Sequence, residues 1–246
     1  MTAYHGGKQR LGKQLAEIIV DTSLDIAEEE DFDIIGYCEP FCGMLGVYRH
    51  IPELFEEEGY DDLTYLAGDT NGSVVQMWQL AQKGWKPPTT CSEKTYNELR
   101  NAPDSALKGF IGHQCSFGGR FFTGFSKKYD DSKNPKRASE RVVKIGKEMY
   151  NTKFFNTSYV DFSNLKNFVI YCDPPYENTI CTYGSTFNTD EFWCWCRMMS
   201  KNNIIFVSEY KKPKNIKAKC IFSKNRASAS CAKGSSCSGI EKLYII

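Results

Sequence analysis

Phe168-Val169-Ile170-Tyr171-Cys172-Asp173-Pro174-Pro175-Tyr176 is the stretch that decides the fold. Its five leading apolar residues, β-branched and aromatic among them, predict a buried strand. That strand runs into an acid, two prolines and an aromatic ring. Proline fixes φ and donates no backbone hydrogen bond, so a sheet does not continue through it. Asp173 and Tyr176 are therefore expected on a stiff, extended turn at the strand's carboxyl end. In open α/β sheets, ligands bind at that edge.

Working outward, the pattern of an apolar run ending on an acid recurs. Ile34-Ile35-Gly36-Tyr37-Cys38 predicts a first buried strand, followed by Glu39-Pro40-Phe41-Cys42-Gly43-Met44-Leu45-Gly46-Val47 and a helix through Ile51, which Pro52 kinks or restarts. Strand, glycine-bearing turn and helix make a nucleotide-type site. The full G-x-G-x-x-G spacing is missing, which argues against a pyrophosphate and fits a nucleoside-type ligand. A second strand over 63–67 leads to Gly68-Asp69. Asp69 could accept from ribose hydroxyls, or Asp69 or Asn71 could cap the helix carrying Val74, Val75, Trp78 and Leu80. A third strand region over 154–162 is expected to end on Asp161-Phe162. Those two residues offer an acceptor for an adenine amino group and an apolar face for its ring.

Downstream, 177–187 reads as a polar, mobile flap. Asn188, with Glu191 three residues on, starts a helix whose Phe192, Trp195, Cys196 and Met199 have core spacing. Another buried strand over 203–208 ends at Glu209-Tyr210. Short strands at 220–222 and 243–246 could pair as a hairpin at the sheet edge, with an exposed, mobile loop over 223–240. The fold class is α/β, with a Rossmann-like sheet.

Three segments break this rhythm. Tyr4-His5-Gly6-Gly7-Lys8 precedes a helical pattern through Leu11, Leu15, Ile18 and Ile19. Its glycines let backbone amides approach a ligand and Lys8 can pair with a carboxylate or phosphate, or the segment is a plain flexible turn. Residues 21–33 are acidic and read as a solvated loop. From Lys83 to about Asn134, aromatics, glycines and polar residues interleave, and behind them a basic cluster runs from Arg120 through Lys127, Lys128, Lys133, Lys136, Arg137 and Arg141 to Lys144. This could present cations to phosphates and planar groups to bases, or be an ordinary solvated basic face.

Composition narrows the classes. The chain has 246 residues, is 41% hydrophobic and 25% charged, and carries a net charge of +1. Overall charge does not announce nucleic acid, so a local basic patch would have to attract it. The N-terminal stretch has no signal-peptide core and no run reaches the length of a membrane span, so an intracellular protein is expected. The eleven cysteines form no zinc-type pairing and read as reduced, mostly buried thiols. Three scattered histidines give no metal motif and no triad, so the chemistry is not expected to use a histidine base or a metal.

Taken in order, these motifs resemble DNA adenine N6-methyltransferases of the Dam-like, alpha-group type. Tyr4–Lys8 resembles the family's N-terminal glycine-lysine element, and Glu39–Val47 its cofactor turn. Asp69 with Asn71 resembles its D-x-N, 107–125 its recognition insert, Asp161-Phe162 its adenine-contacting pair, and Asp173–Tyr176 its DPPY signature. Met44-Leu45 depart from the family's consecutive glycines, and Ser208-Glu209 from its Ser-Asn. The resemblance implies S-adenosylmethionine as methyl donor, double-stranded DNA as substrate and base flipping. It implies a catalytic domain over 1–82 and 135–246 with a target-recognition insert over 83–134. Asp173, Pro174, Pro175 and Tyr176 would be catalytic. Tyr4, Gly7, Lys8, Glu39, Pro40, Phe41, Gly43, Asp69, Asn71, Asp161, Phe162 and Asp173 would hold the cofactor. Arg120, Lys127, Lys128, Lys136 and Arg137 would meet DNA. A restriction endonuclease acting separately is a partner the resemblance allows. An RNA methyltransferase, or a catalytically silent DNA-binding module of the same fold, is the alternative.

Overall fold

The structure, a computed structural model, describes residues 7–126, 134–175, 187–226 and 239–246. Parallel strands form its centre. β1 (Gly36–Glu39) pairs with β2 (Thr64–Asp69) on one side and β4 (Phe168–Cys172) on the other. β3 (Thr152–Asn156) lies outside β2, and β5 (Ile204–Glu209) outside β4, all in parallel. Beyond β5 the sheet turns antiparallel: β7 (Gly239–Ile245) sits between β5 and β6 (Lys219–Arg226). The order is β3-β2-β1-β4-β5-β7-β6, so the chain reverses its direction of growth between β1 and β4. Such a switch point opens a crevice outside the strands' carboxyl ends.

Both faces of the sheet are covered, which is why the strands read as unbroken apolar runs. Tyr37, Tyr65, Ala67, Val169, Tyr171, Phe206 and Leu243 point into one core, with α1 (Gly12–Glu30), α2 (Ile51–Glu57) and α3 (Gly72–Gln82). Cys38, Leu66, Ile170, Cys172, Ile205 and Val207 point into the other, under Phe192, Trp193, Cys196 and Met199 of α7 (Thr189–Met199). Each such large side chain contributes about 1.5–3 kcal/mol by leaving water. Asn188 caps α7 by accepting from Glu191 N–H at 3.3 Å.

Several sequence expectations shift. α1 runs on through the acidic stretch read as a loop, because Ser23 is buried and Leu24, Ile26 and Ala27 continue its apolar stripe. Its acids are the solvated face of one helix, which ends where Asp31 turns left-handed at φ 51°. β1 begins at Gly36, and Ile35 before it is 47% exposed. No helix follows the glycine turn directly. Residues 40–47 wind irregularly, and a 3-10 turn (Tyr48–His50) precedes α2, whose first turn tolerates Pro52. Leu80 of α3 is exposed, not packed.

The stretch after Lys83 also carries helices. α4 (Glu93–Arg100) and α5 (Ala106–Gln114) carry Tyr96, Phe110 and Ile111 into the same core as α3, and α6 (Asn134–Glu148) adds Val142 and Ile145. A Cβ at Gly109 would overlap the Ser73 carbonyl, so α5 crosses α3 at backbone contact. Among the described residues no helix is long and apolar enough to cross a membrane.

Candidate functional site

The carboxyl edge gathers the acids that end the strands. Asp173 follows β4 and Glu39 ends β1, so the two flank the switch point. Lys8 reaches the same place, almost fully buried, with Nζ 2.6 Å from Asp173 Oδ1. The N-terminal segment gets there through glycines. A Cβ at Gly12 would strike the Gly46 carbonyl, and one at Gly46 would crowd the Lys8 backbone. The start of α1 and the turn after β1 therefore lie backbone to backbone, with Lys8 between them and the sheet. Gly7 lies beside it, half-buried.

Glu39 is 3% exposed and accepts from the Tyr37 hydroxyl at 2.7 Å. Among the described residues it has no cation within ion-pair distance. Burial pushes its carboxyl well above the ordinary range, the Tyr37 hydroxyl offsets this, the Asp173 charge adds to it and Lys8 opposes it. Burial likewise raises the Tyr37 and Tyr171 phenols. A buried carboxylate of this kind favours a cationic partner, because the cost of burying its charge outweighs what Tyr37 and Lys8 return.

Asp69 holds the turn after β1. Its Oδ2 accepts from Gly43 N–H at 2.9 Å and its Oδ1 from Asn71 N–H at 2.8 Å. Trp78 Nε1 donates to the Gly43 carbonyl at 2.8 Å, and Cys42 N–H to Gly68 O at 2.8 Å. The end of β2 and the first turns of α3 thus clamp the turn after β1. Asn71 caps α3 by accepting from Ser73 and Val74 N–H. A carboxylate has about four lone-pair directions, so Asp69 keeps capacity for a hydroxyl. Within the turn, Gly43 has φ 43° and Leu45 φ 52°. Leu45 takes the left-handed conformation in a turn where the resembled family has consecutive glycines, and its fully buried side chain offsets that strain.

Asp161 and Phe162 lie on a 3-10 turn (Tyr159–Phe162) past β3, not at its end. Asp161 is exposed and caps its own turn, accepting from Thr157 Oγ1 and from Ser158 N–H, which together hold its carboxyl below the usual range. Phe162 packs over Gly68, where a Cβ would meet its ring. Tyr159, which sequence reasoning missed, stacks on Phe41 with ring centroids 5.6 Å apart. Phe187 and Phe192 complete that aromatic group, 5.9 and 5.7 Å from Phe41. Pro40 is buried beneath the edge.

The described members of the expected DNA-facing set lie at the surface. Lys136 and Arg137 are exposed on the first turns of α6, Lys136 3.9 Å from Glu140, and Arg120 is exposed after the turn Phe117–Gly119. Phe117, which leads that turn, is 77% exposed. Tyr4, Lys127, Lys128 and Tyr176 lie outside the described residues. Glu241, also missed, lies 3.3 Å from Lys8. Among the described residues no group of three His, Cys, Asp or Glu could hold a metal ion.

Residues 121–228 match the family described as D12 class N6 adenine-specific DNA methyltransferase. The match spans 108 of the 246 residues, less than half of the chain. The family is of the kind that the motifs resembled. Asp161, Phe162 and Asp173 fall inside the match, whereas Lys8, Glu39 and Asp69 precede it and stand on geometry. No curated protein matches the chain. A solved structure of putative methylase HI0767 from Haemophilus influenzae aligns over 94% of this chain and 97% of that one, with 13% identity and a TM-score of 0.33. That likeness carries no argument, and the Rossmann-like sheet is read from the strand order and the switch point.

Proposed function

We propose that the chain transfers a methyl group from S-adenosylmethionine to the N6 amino group of adenine in double-stranded DNA. The observation that carries this reading is Asp173. It stands at the switch point, followed by Pro174-Pro175, within the stretch that matches the methyltransferase family.

S-adenosylmethionine supplies an activated methyl on a sulfonium and an ammonium at its methionine end. The fit to it rests on Glu39, a buried carboxylate hydrogen-bonded to a neutral hydroxyl and suited to a cationic partner. Glu39, with Lys8 and Gly7 beside it, would hold the methionine end. Asp69 would accept from ribose, Phe41 and Phe162 would flank the adenine, and Asp161 would accept from its amino group after giving up part of its cap. Asn71, Pro40 and Gly43 shape the turn that brings these groups close.

The exocyclic amine of adenine is a poor nucleophile, because its lone pair is delocalised into the ring. Asp173 accepts one N–H and the Pro174 carbonyl the other, which draws the nitrogen towards tetrahedral geometry and localises the lone pair. No base is required before attack. The two prolines keep both acceptors still, and orientation of this kind is worth several kcal/mol of barrier. An amine inside a duplex cannot reach the edge, so the base flips out. Tyr176, which follows, would stack on it for about 1–3 kcal/mol.

The segment 83–134 is proposed to bring the DNA, with 1–82 and 135–246 as the catalytic part. Arg120, Lys127, Lys128, Lys136 and Arg137 would contact phosphates. Phe117, exposed on the turn before Arg120, would meet bases or the groove wall. The test is transfer of labelled methyl from S-adenosylmethionine to duplex DNA, RNA and protein side by side. Label is expected in DNA, and lost in Asp173→Ala that remains folded. Label in RNA or protein alone would overturn the reading.

A further inference from the structure

Glu241 takes no part in the steps above, and its position is costly. It is the third residue of β7, 0% exposed, on a strand whose Leu243 is ordinary core. A buried carboxylate is tolerated only when paired. Its partner is Lys8, 3.3 Å from Oε1, and Lys8 is also 2.6 Å from Asp173 Oδ1. One buried ammonium is thus divided between two carboxylates. The antiparallel direction of β7 makes this possible: Lys242 pairs with Glu209 at the end of β5, so Glu241 lies at the carboxyl edge.

We infer that Glu241 is a positioning residue for the reaction, acting on Asp173 through Lys8. This rests on Asp173 being the acceptor for the target amine. An undivided ammonium at 2.6 Å would draw charge from the Asp173 carboxylate and weaken it as an acceptor. Glu241 takes part of that ammonium's donation, so the Asp173 carboxylate keeps more of its charge density for accepting from the amine. Glu39 of β1 and Tyr171 of β4 also feel this carboxyl's charge, and the Tyr171 hydroxyl is 2.8 Å from that of Ser208 on β5.

The experiment compares Glu241→Gln, Glu241→Asp, Lys8→Met and the double variant Lys8→Met/Glu241→Gln. It reads kcat and KM for DNA, the pH profile of kcat, S-adenosylmethionine binding by calorimetry and thermal unfolding. Glu241→Gln is expected to lower kcat at least tenfold with KM for DNA within twofold. Its acid limb should move to lower pH, because the Glu241 charge no longer competes with Asp173 for Lys8. Glu241→Asp should recover most of the loss. In the Lys8→Met background, Glu241→Gln should cause no further loss of kcat. An unshifted acid limb, a loss that only tracks the folded fraction, or an equal loss with and without Lys8 would overturn the inference. Should Glu241→Gln alone not fold, the double variant, which removes both buried charges together, decides the matter against Lys8→Met. An inactive wild type, or an active Asp173→Ala, would instead strike at the proposed function.

Discussion

Replacing Asp69 by alanine tests how the turn after β1 is held. The carboxylate bridges Gly43 N–H at 2.9 Å and Asn71 N–H at 2.8 Å. Hydrogen bonds to a charged group contribute about 1.5–3 kcal/mol each. Their sum is reduced by the cost of holding the carboxylate out of water, which pushes its titration upward. A net loss of roughly 2–4 kcal/mol is expected, since Gly43 N–H and Asn71 N–H both lose their acceptor. With a urea slope of about 3 kcal/mol per molar, the unfolding midpoint should fall by about 1 M. Asp69→Asn is nearly isosteric, but its amide must point a donor at one of two backbone donors, for a cost of about 1–3 kcal/mol. Both variants should also bind S-adenosylmethionine more weakly, as the turn loses its anchor. A midpoint for Asp69→Ala within about 0.2 M of wild type, equivalent to about 0.5 kcal/mol, would refute the clamp.

Other outcomes follow from single residues. Glu39→Gln should leave thermal stability equal or higher, because it removes a buried charge while keeping an acceptor for Tyr37, yet weaken S-adenosylmethionine binding by tenfold or more in calorimetry. Phe117→Ala should leave the melting temperature unchanged, since the ring is 77% exposed, but weaken duplex binding by about 1–3 kcal/mol in fluorescence anisotropy. His113 is buried, with Nδ1 3.0 Å from the Gly119 carbonyl, and burial lowers its titration to about 4. The unfolded chain takes up that proton near 6.5, so its contribution is whole above 6.5 and is lost as pH falls towards 4. It amounts to roughly 3 kcal/mol, and His113→Asn should flatten the urea-derived stability slope across that window.

The centre of the sheet was legible because strands buried on both faces are continuous apolar runs, and prolines mark where β4 stops. The recurrence of an acid at the end of each apolar run was enough to place Glu39, Asp69 and Asp173 on one edge. What stayed hidden depends on tertiary direction. Glu241 reaches that edge only because β7 runs antiparallel, and a lone acid in a short strand carries no local sign of this. Asp161 and Phe162 were expected on a strand, but Ser158 and Asp161 form a capping box that winds the chain into a 3-10 turn instead. The acidic stretch of α1 concealed a helix, because charge on its outer face outweighed the thinner stripe of Leu24, Ile26 and Ala27. Leu45 could not be assigned a left-handed conformation from its type, since burial rather than intrinsic preference holds it there.

The most direct measurement is nucleoside mass spectrometry of duplex DNA incubated with the purified chain and S-adenosylmethionine. N6-methyladenine is the expected methylated nucleoside, absent when Asp173 is alanine. Methylcytosine, or no methylated nucleoside from an enzyme that binds S-adenosylmethionine, would contradict adenine methylation by this chain.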